Sequence, residues 1–121
     1  ILCMQRNQAK YDYISFKFEF PGGKIEPGES PTEALRRELI EELEMKVVVS
    51  ETNFFMNVKH TYPDFRINMY SYICKVKNKK IKLKEHYSYI WLKKADIDKL
   101  DWLPADEPIV KKLKELELWG L

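Results

Sequence analysis

Apolar residues fall in short blocks along the chain, and the spacing inside each block predicts its structure. The opening "ILCM" reads as a buried strand. "FKFEF", residues 16 to 20, alternates apolar and polar with period two, the pattern of a strand with one buried face. "PGGKIEPGESP", residues 21 to 31, holds three of the four glycines and three of the six prolines, so it predicts a loop. Ser30 then fits a helix N-cap, with Pro31 at the first helical position and Glu33 completing a capping box, and the helix is expected from about Pro31 to Met45. Stretches 46–58 and 65–77 are rich in Val, Phe, Tyr and Ile and predict a pair of strands turning at "HTYPDF". "KVKNKKIKLK", residues 75 to 84, alternates around Ile81 and Leu83 and predicts a hairpin with a lysine face. "YSYIWL", residues 87 to 92, is a further strand and "KADIDKL" a helical turn. "PADEPIVKKLKELE" is a closing amphipathic helix with Ile109, Val110, Leu113 and Leu116 on one side. Strands, helix, strands and helix predict one layered domain of the α/β or α+β class over residues 1–121.

Composition narrows the class. The chain of 121 residues is 45% hydrophobic and 33% charged, ordinary values for a globular domain with one core. No apolar run approaches the roughly 18 residues of a membrane span, and no secretory signal opens the sequence. A net charge of +2 does not announce a nucleic-acid partner. The six lysines of 75–84 read as protection of an edge strand, with an electrostatic funnel for an anionic substrate as the alternative. Cys3 and Cys74 lie far apart in strand-like stretches and read as reduced thiols of a cytoplasmic protein.

The candidate chemistry lies in "RRELIEELEM", residues 36 to 45, where Glu38, Glu41, Glu42 and Glu44 crowd one helix. Like charges three and four residues apart cost a helix roughly 0.2–0.5 kcal/mol per pair. At about 100° per residue, Leu35, Leu39, Leu43 and Ile40 fall at roughly 0°, 40°, 80° and 140°, one apolar stripe. Glu42, Glu38 and Glu41 fall at roughly −20°, −60° and −120°, an arc beside that stripe rather than opposite it. Carboxylates gathered at a core edge call for a counter-charge, and hard oxygen ligands suit Mg²⁺ or Mn²⁺. For "EELE" alone, an acidic surface patch would serve as well.

The surrounding spacing decides between them. Gly23, five residues, Glu29, seven residues, Arg37-Glu38-Leu39, one residue, then Glu41-Glu42 resembles the Nudix box, G-x5-E-x7-R-E-U-x-E-E-x-G-U with U a bulky aliphatic residue. Eight of its nine defined positions match over 23 residues; Glu44 stands where the box has glycine. A glycine there would serve a left-handed helix end, so a changed helix exit is expected, with the chemistry kept. "FEFPGGKIEPGES", "YPDFRINMY", "KEHYSYIWL" and "LPADEP" extend the resemblance, in order, to the MutT-type branch of nucleoside triphosphate pyrophosphohydrolases. That resemblance implies an α/β/α sandwich with a mixed sheet between helices. It also implies that one strand of the family fold, normally found before the equivalent of "ILCMQR", is absent from this sequence.

The resemblance further implies metal-assisted water attack that releases a nucleoside monophosphate and pyrophosphate, with 8-oxo-dGTP or a cytidine triphosphate as substrate class. Carried over by position, Glu38, Glu41 and Glu42 bind Mg²⁺, with Mn²⁺ as a substitute, and the Gly22 carbonyl adds an oxygen ligand. Glu85 stands where these proteins bring in a further carboxylate, as a metal ligand or in activating water; an exposed turn glutamate is the alternative. His86 beside it reads as incidental. Glu29 and Arg37 form a structural pair bracing loop against helix. Arg6 and Lys24 are phosphate contacts in this reading, and a surface arginine remains an alternative for Arg6. Asp106 takes the place of a residue that reads the base edge, unless it caps the last helix. Phe20 either stacks on the base or packs in the core. The expected partner is a small nucleotide, with no nucleic acid or membrane, and the protein a monomer or homodimer in the cytoplasm. The other functions considered are hydrolysis of a dinucleotide or nucleoside-diphosphate sugar, and nucleotide sensing without turnover.

Overall fold

The computed structural model describes residues 1–116. Its regular elements are strands β1 (Leu2–Gln5) and β2 (Phe18–Glu19), helix α1 (Pro31–Leu43), strands β3 (Phe54–Thr61), β4 (Arg66–Tyr72) and β5 (Ser88–Trp91), and helix α2 (Glu107–Glu115). Short 3-10 turns lie at Glu51–Asn53, Lys94–Lys99 and Pro104–Asp106. Among the described residues no helix is long and apolar enough to cross a membrane.

β1 is the middle strand of a sheet ordered β2-β1-β5, antiparallel throughout, with Cys3 opposite Ile90 and Met4 opposite both Tyr89 and Glu19. β3 and β4 form a separate antiparallel hairpin, with an irregularity between Phe54 and Met56. Parallel character enters at Phe18, which bridges to Trp102 and exchanges backbone hydrogen bonds with Asp101 and Leu103. Alternate side chains of a strand point to opposite faces, and β1 shows what that does. Leu2 and Met4 pack with Leu39 and Leu43 of α1, while Cys3 joins Val58 of β3, Trp102, and Ile109, Val110 and Leu113 of α2. The three-residue alternation of β1 thus separates two cores and sets a helix on either side of the sheet. Both cysteines are free thiols; Cys3 is buried and Cys74 half-buried.

Helix α1 begins as its sequence demands. The Ser30 hydroxyl accepts from the Glu33 N–H, and the Glu33 carboxylate accepts from the Ser30 N–H. Its end corrects the expectation of a changed exit. Glu44 adopts the left-handed conformation (φ 52°, ψ 38°) that a glycine would take. Its N–H donates to the Ile40 carbonyl at 3.0 Å, and the Met45 N–H to the Leu39 carbonyl at 3.1 Å. Lys82 and Lys84 both pair with its carboxylate, at 3.5 and 3.4 Å, and hold it below the usual carboxylate range. Ile40, placed on the apolar stripe by the wheel, is exposed, whereas Ala34 and Thr32 of the first turns are buried.

Other boundaries move for identifiable reasons. Residues 46–53 are not a strand: Val49 is buried from an irregular segment whose carbonyl accepts from Arg36 Nη1 at 2.7 Å. "FKFEF" contributes only Phe18 and Glu19 to the sheet, because Phe16 turns the chain with φ 59° and its ring meets Tyr87 edge-on. The expected hairpin over 75–84 does not form. Ile81 and Leu83 pack against the α1 core instead, and the Lys82 N–H donates to the Leu43 carbonyl, the carbonyl next to the left-handed residue. Regular pairing resumes where the Tyr87 N–H donates to the Gln5 carbonyl at 2.9 Å, immediately ahead of β5.

Candidate active site

The loop 21–30 crosses the N-terminal half of α1, and Arg37 joins the two. Its Nε and Nη2 donate to the two oxygens of Glu29 at 2.7 and 2.9 Å, a fork-to-fork pair. Nη2 also donates to the Lys24 carbonyl at 2.9 Å, while Nη1 reaches Glu38 at 2.8 Å and Glu41 at 3.0 Å. Glu29 is held down at about 2, chiefly by its hydrogen bonds from Arg37. One guanidinium therefore fixes the loop and two of the three helix carboxylates, at i+1 and i+4 from Arg37.

Gly23 of the loop lies against Glu38. A Cβ on Gly23 would stand 2.3 Å from the Glu38 carboxyl carbon and within 2.7 Å of both its oxygens. The first box glycine is therefore a steric requirement of Glu38, the first of the three helix carboxylates. Gly22 precedes it with nothing closer to such a Cβ than Leu35, at 3.7 Å.

Glu38 and Glu42 occupy successive turns, and their charges interact. Burial pushes Glu42 up to about 7, followed by the charge of Glu38 and a hydrogen bond with it; Glu85 adds to the rise and His86 opposes it. Glu38 on α1, and Glu85 and His86 in the segment before β5, thus act on Glu42 through their charge. Glu41 stands apart, largely exposed and turned onto Arg37. Among the described residues, no three His, Cys, Asp or Glu side chains converge as they stand to hold a metal. The donor set nevertheless fits a divalent cation. It consists of hard oxygens whose mutual repulsion is expressed in Glu42, and a cation within reach would relieve it.

A half-buried polar cluster lies at Glu19. Glu19 of β2 accepts from Arg6 Nη1 at 3.1 and 3.3 Å and lies 2.9 Å from His86 Nε2. His86 is raised above its ordinary range by that bond to Glu19, against its burial. Arg6 Nε and His86 Nδ1 are buried without a protein partner. Sequence reasoning missed Glu19 and set His86 aside; the only signal was a charged residue between Phe18 and Phe20 in a strand with a buried face.

Just past the same end of β2, Asp106 is buried, and its Oδ1 accepts from the Phe20 N–H at 3.2 Å. Burial pushes Asp106 up to about 7. Its side chain makes no capping bond to α2, so the capping alternative falls away. The Phe20 ring stacks on Trp102 with centroids 4.5 Å apart, a packing contact in the α2 core. Lys24 is exposed and only its carbonyl engages the site. Beside Asp106, Tyr62 is buried, and its hydroxyl accepts from the Ala105 N–H at 3.0 Å.

The sequence and the fold are similar to those of known proteins. The model of the NUDIX domain matches residues 1–119. The chain is 33% identical over 98 residues to an 8-oxo-dGTP diphosphatase of Buchnera aphidicola subsp. Acyrthosiphon pisum, spanning 81% of this chain and 77% of that protein. It is 29% identical over 116 residues to a CTP pyrophosphohydrolase of Escherichia coli, spanning 96% and 83%. The crystal structure of a MutT protein from Methanosarcina mazei Go1 superposes with a TM-score of 0.81 at 22% identity, covering 94% of this chain and 82% of the other.

Proposed function

The chain belongs to the NUDIX domain family, and from that premise we propose that it hydrolyses a nucleoside triphosphate to the monophosphate and pyrophosphate, with 8-oxo-dGTP or CTP as the substrate class. The printed functions of the similar diphosphatase and pyrophosphohydrolase support this choice. The observation that carries it is Arg37 holding Glu29, Glu38 and Glu41 in one array, with Glu42 one turn beyond Glu38 and in charge contact with it. NUDIX hydrolases generally depend on a divalent metal, and Mg²⁺, replaceable by Mn²⁺, is the ion proposed here.

Glu38, Glu41, Glu42 and Glu85, with the Gly22 carbonyl, are the groups that would hold it. An ion held by these groups would supply positive charge for the phosphoryl oxygens and would lower the pKa of the attacking water. The remaining work belongs to the chain itself. Arg37 orients Glu38 and Glu41. Glu85 takes the proton of the attacking water. Arg6, just after β1, and Lys24, within the loop, meet the phosphates. Asp106 accepts a hydrogen bond from an exocyclic amino group or ring N–H of the base.

Purified protein given Mg²⁺ and a panel of triphosphates, oxidised bases included, is expected to release pyrophosphate. Nucleotide binding without release would assign it to sensing instead.

A further inference from the structure

Residues 7–16 form a strap between β1 and β2. Its interior is self-bonded: the Ser15 hydroxyl accepts from the Ala9 N–H at 2.8 Å and reaches the Tyr11 carbonyl at 3.1 Å, and Ile14 is buried beneath. At its root, Asn7 Nδ2 donates to the Glu85 carbonyl at 2.9 Å, and Phe16 meets Tyr87 edge-on with centroids 5.2 Å apart. At its tip, the Tyr13 hydroxyl donates to Asp64 Oδ2 at 2.7 Å, across 51 residues, in the turn between β3 and β4. The Tyr13 ring stacks on Tyr11 at 5.4 Å and on Tyr62 at 5.7 Å. Tyr62 in turn is fixed to the Ala105 N–H, one residue from Asp106. The strap therefore links the Glu85 segment to the aromatic wall beside Asp106.

We propose that Tyr13 is a positioning residue for nucleoside binding, which through its bond to Asp64 and its stack on Tyr62 holds the strap against the wall beside Asp106. This inference rests on the pyrophosphohydrolase reading for its substrate, a nucleoside phosphate, but not for the latch itself. A bond to a charged acceptor is stronger than one to a neutral group, and stacking fixes its direction. Burial, then the bond to Asp64, push the Tyr13 hydroxyl up to about 12, so it remains a donor through the neutral range. Holding the strap beforehand lowers the ordering cost that the nucleoside would otherwise meet on binding.

The test compares wild type with Tyr13→Phe, which keeps the ring and removes the donor, with Asp64→Asn, and with the double variant. Hydrogen exchange on the nucleotide-free protein is expected to rise at least about fivefold across residues 8–16 in each single variant, with no further rise in the double. KM for the preferred triphosphate is expected to rise about three- to tenfold with kcat within twofold. Metal-free binding of the corresponding nucleoside monophosphate should weaken by the same factor. Unchanged exchange overturns the latch. A lower Tm with KM and monophosphate affinity unchanged overturns the positioning role, because a purely structural bond would do only that. Absence of wild-type pyrophosphate release would refute the pyrophosphohydrolase reading, while exchange and monophosphate affinity would still decide on Tyr13.

Discussion

Gly23 and Glu38 stand so close that a methyl group on the glycine would lie 2.3 Å from the carboxyl carbon of the glutamate. Real side chains do not share such a space, so Gly23→Ala must move Glu38, its neighbour on Arg37. The loop itself is exposed there. We expect a loss of turnover of at least about tenfold and weaker Mn²⁺ binding by paramagnetic titration, with Tm within a few degrees of wild type. Turnover equal to wild type would show that the contact carries no function.

Glu42→Gln removes a charge from a crowded pair. Turnover is expected to fall by roughly a hundredfold or more, since a proposed metal ligand is lost. The metal-free protein should instead gain stability at pH 8. Glu42 is raised to about 7 when folded, from an ordinary 4.5, so the folded protein holds a proton that the unfolded chain releases. Its contribution is present at pH 4 and is lost as pH rises through 7. Thermal melts at pH 5 and pH 8 read this directly, and the variant should show the smaller difference.

Asp106 behaves in the same sense and separates two roles. It is raised to about 7 from 3.8 by burial, so it too favours the folded state at low pH and ceases to do so as pH climbs through 7. Asp106→Asn keeps an oxygen for the Phe20 N–H and cannot ionise. Stability at pH 8 should rise by on the order of 3 kcal/mol in denaturant unfolding. Because asparagine also donates, the ratio of kcat/KM values between bases should shift more than the rate on the better one. An unchanged ratio would remove Asp106 from base recognition.

At Glu44 two small effects oppose each other. Left-handed backbone costs a non-glycine residue about 1 kcal/mol, whereas exposed ion pairs such as those with Lys82 and Lys84 are worth about 0–1 kcal/mol. Glu44→Gly should therefore change stability by less than about 1 kcal/mol, and a β-branched Glu44→Val should destabilise by more than that. Turnover should be unaffected by the glycine.

How much of this was readable beforehand depends on whether the deciding contact is local. The start of α1 was legible because Ser30 and Glu33 bond across three residues. The box carboxylates were legible from spacing along one helix. The end of α1 was not, since nothing in the glutamate type favours a left-handed backbone; two lysines 38 and 40 residues onward complete it. Val47, Val49, Ile81 and Leu83 have the composition of strands yet satisfy themselves by packing from irregular backbone. Hydrophobic alternation reports burial on one face, and it does not say whether a neighbouring strand is present to pair. Glu19 was invisible for a related reason, because Arg6 and His86 reach it from two other segments.

The pairing of Tyr87 with Gln5 has an implication for how this protein can vary. Glu85 and His86 are held between the strand that follows them and the segment 81–84 fastened to the end of α1, not by residues 75–80 further upstream. Insertions or deletions between Cys74 and Lys80 would be absorbed upstream, like slack in a rope whose far end is cleated. The length of that segment can drift between relatives, or accept an engineered tag, while the carboxylate it delivers stays on station.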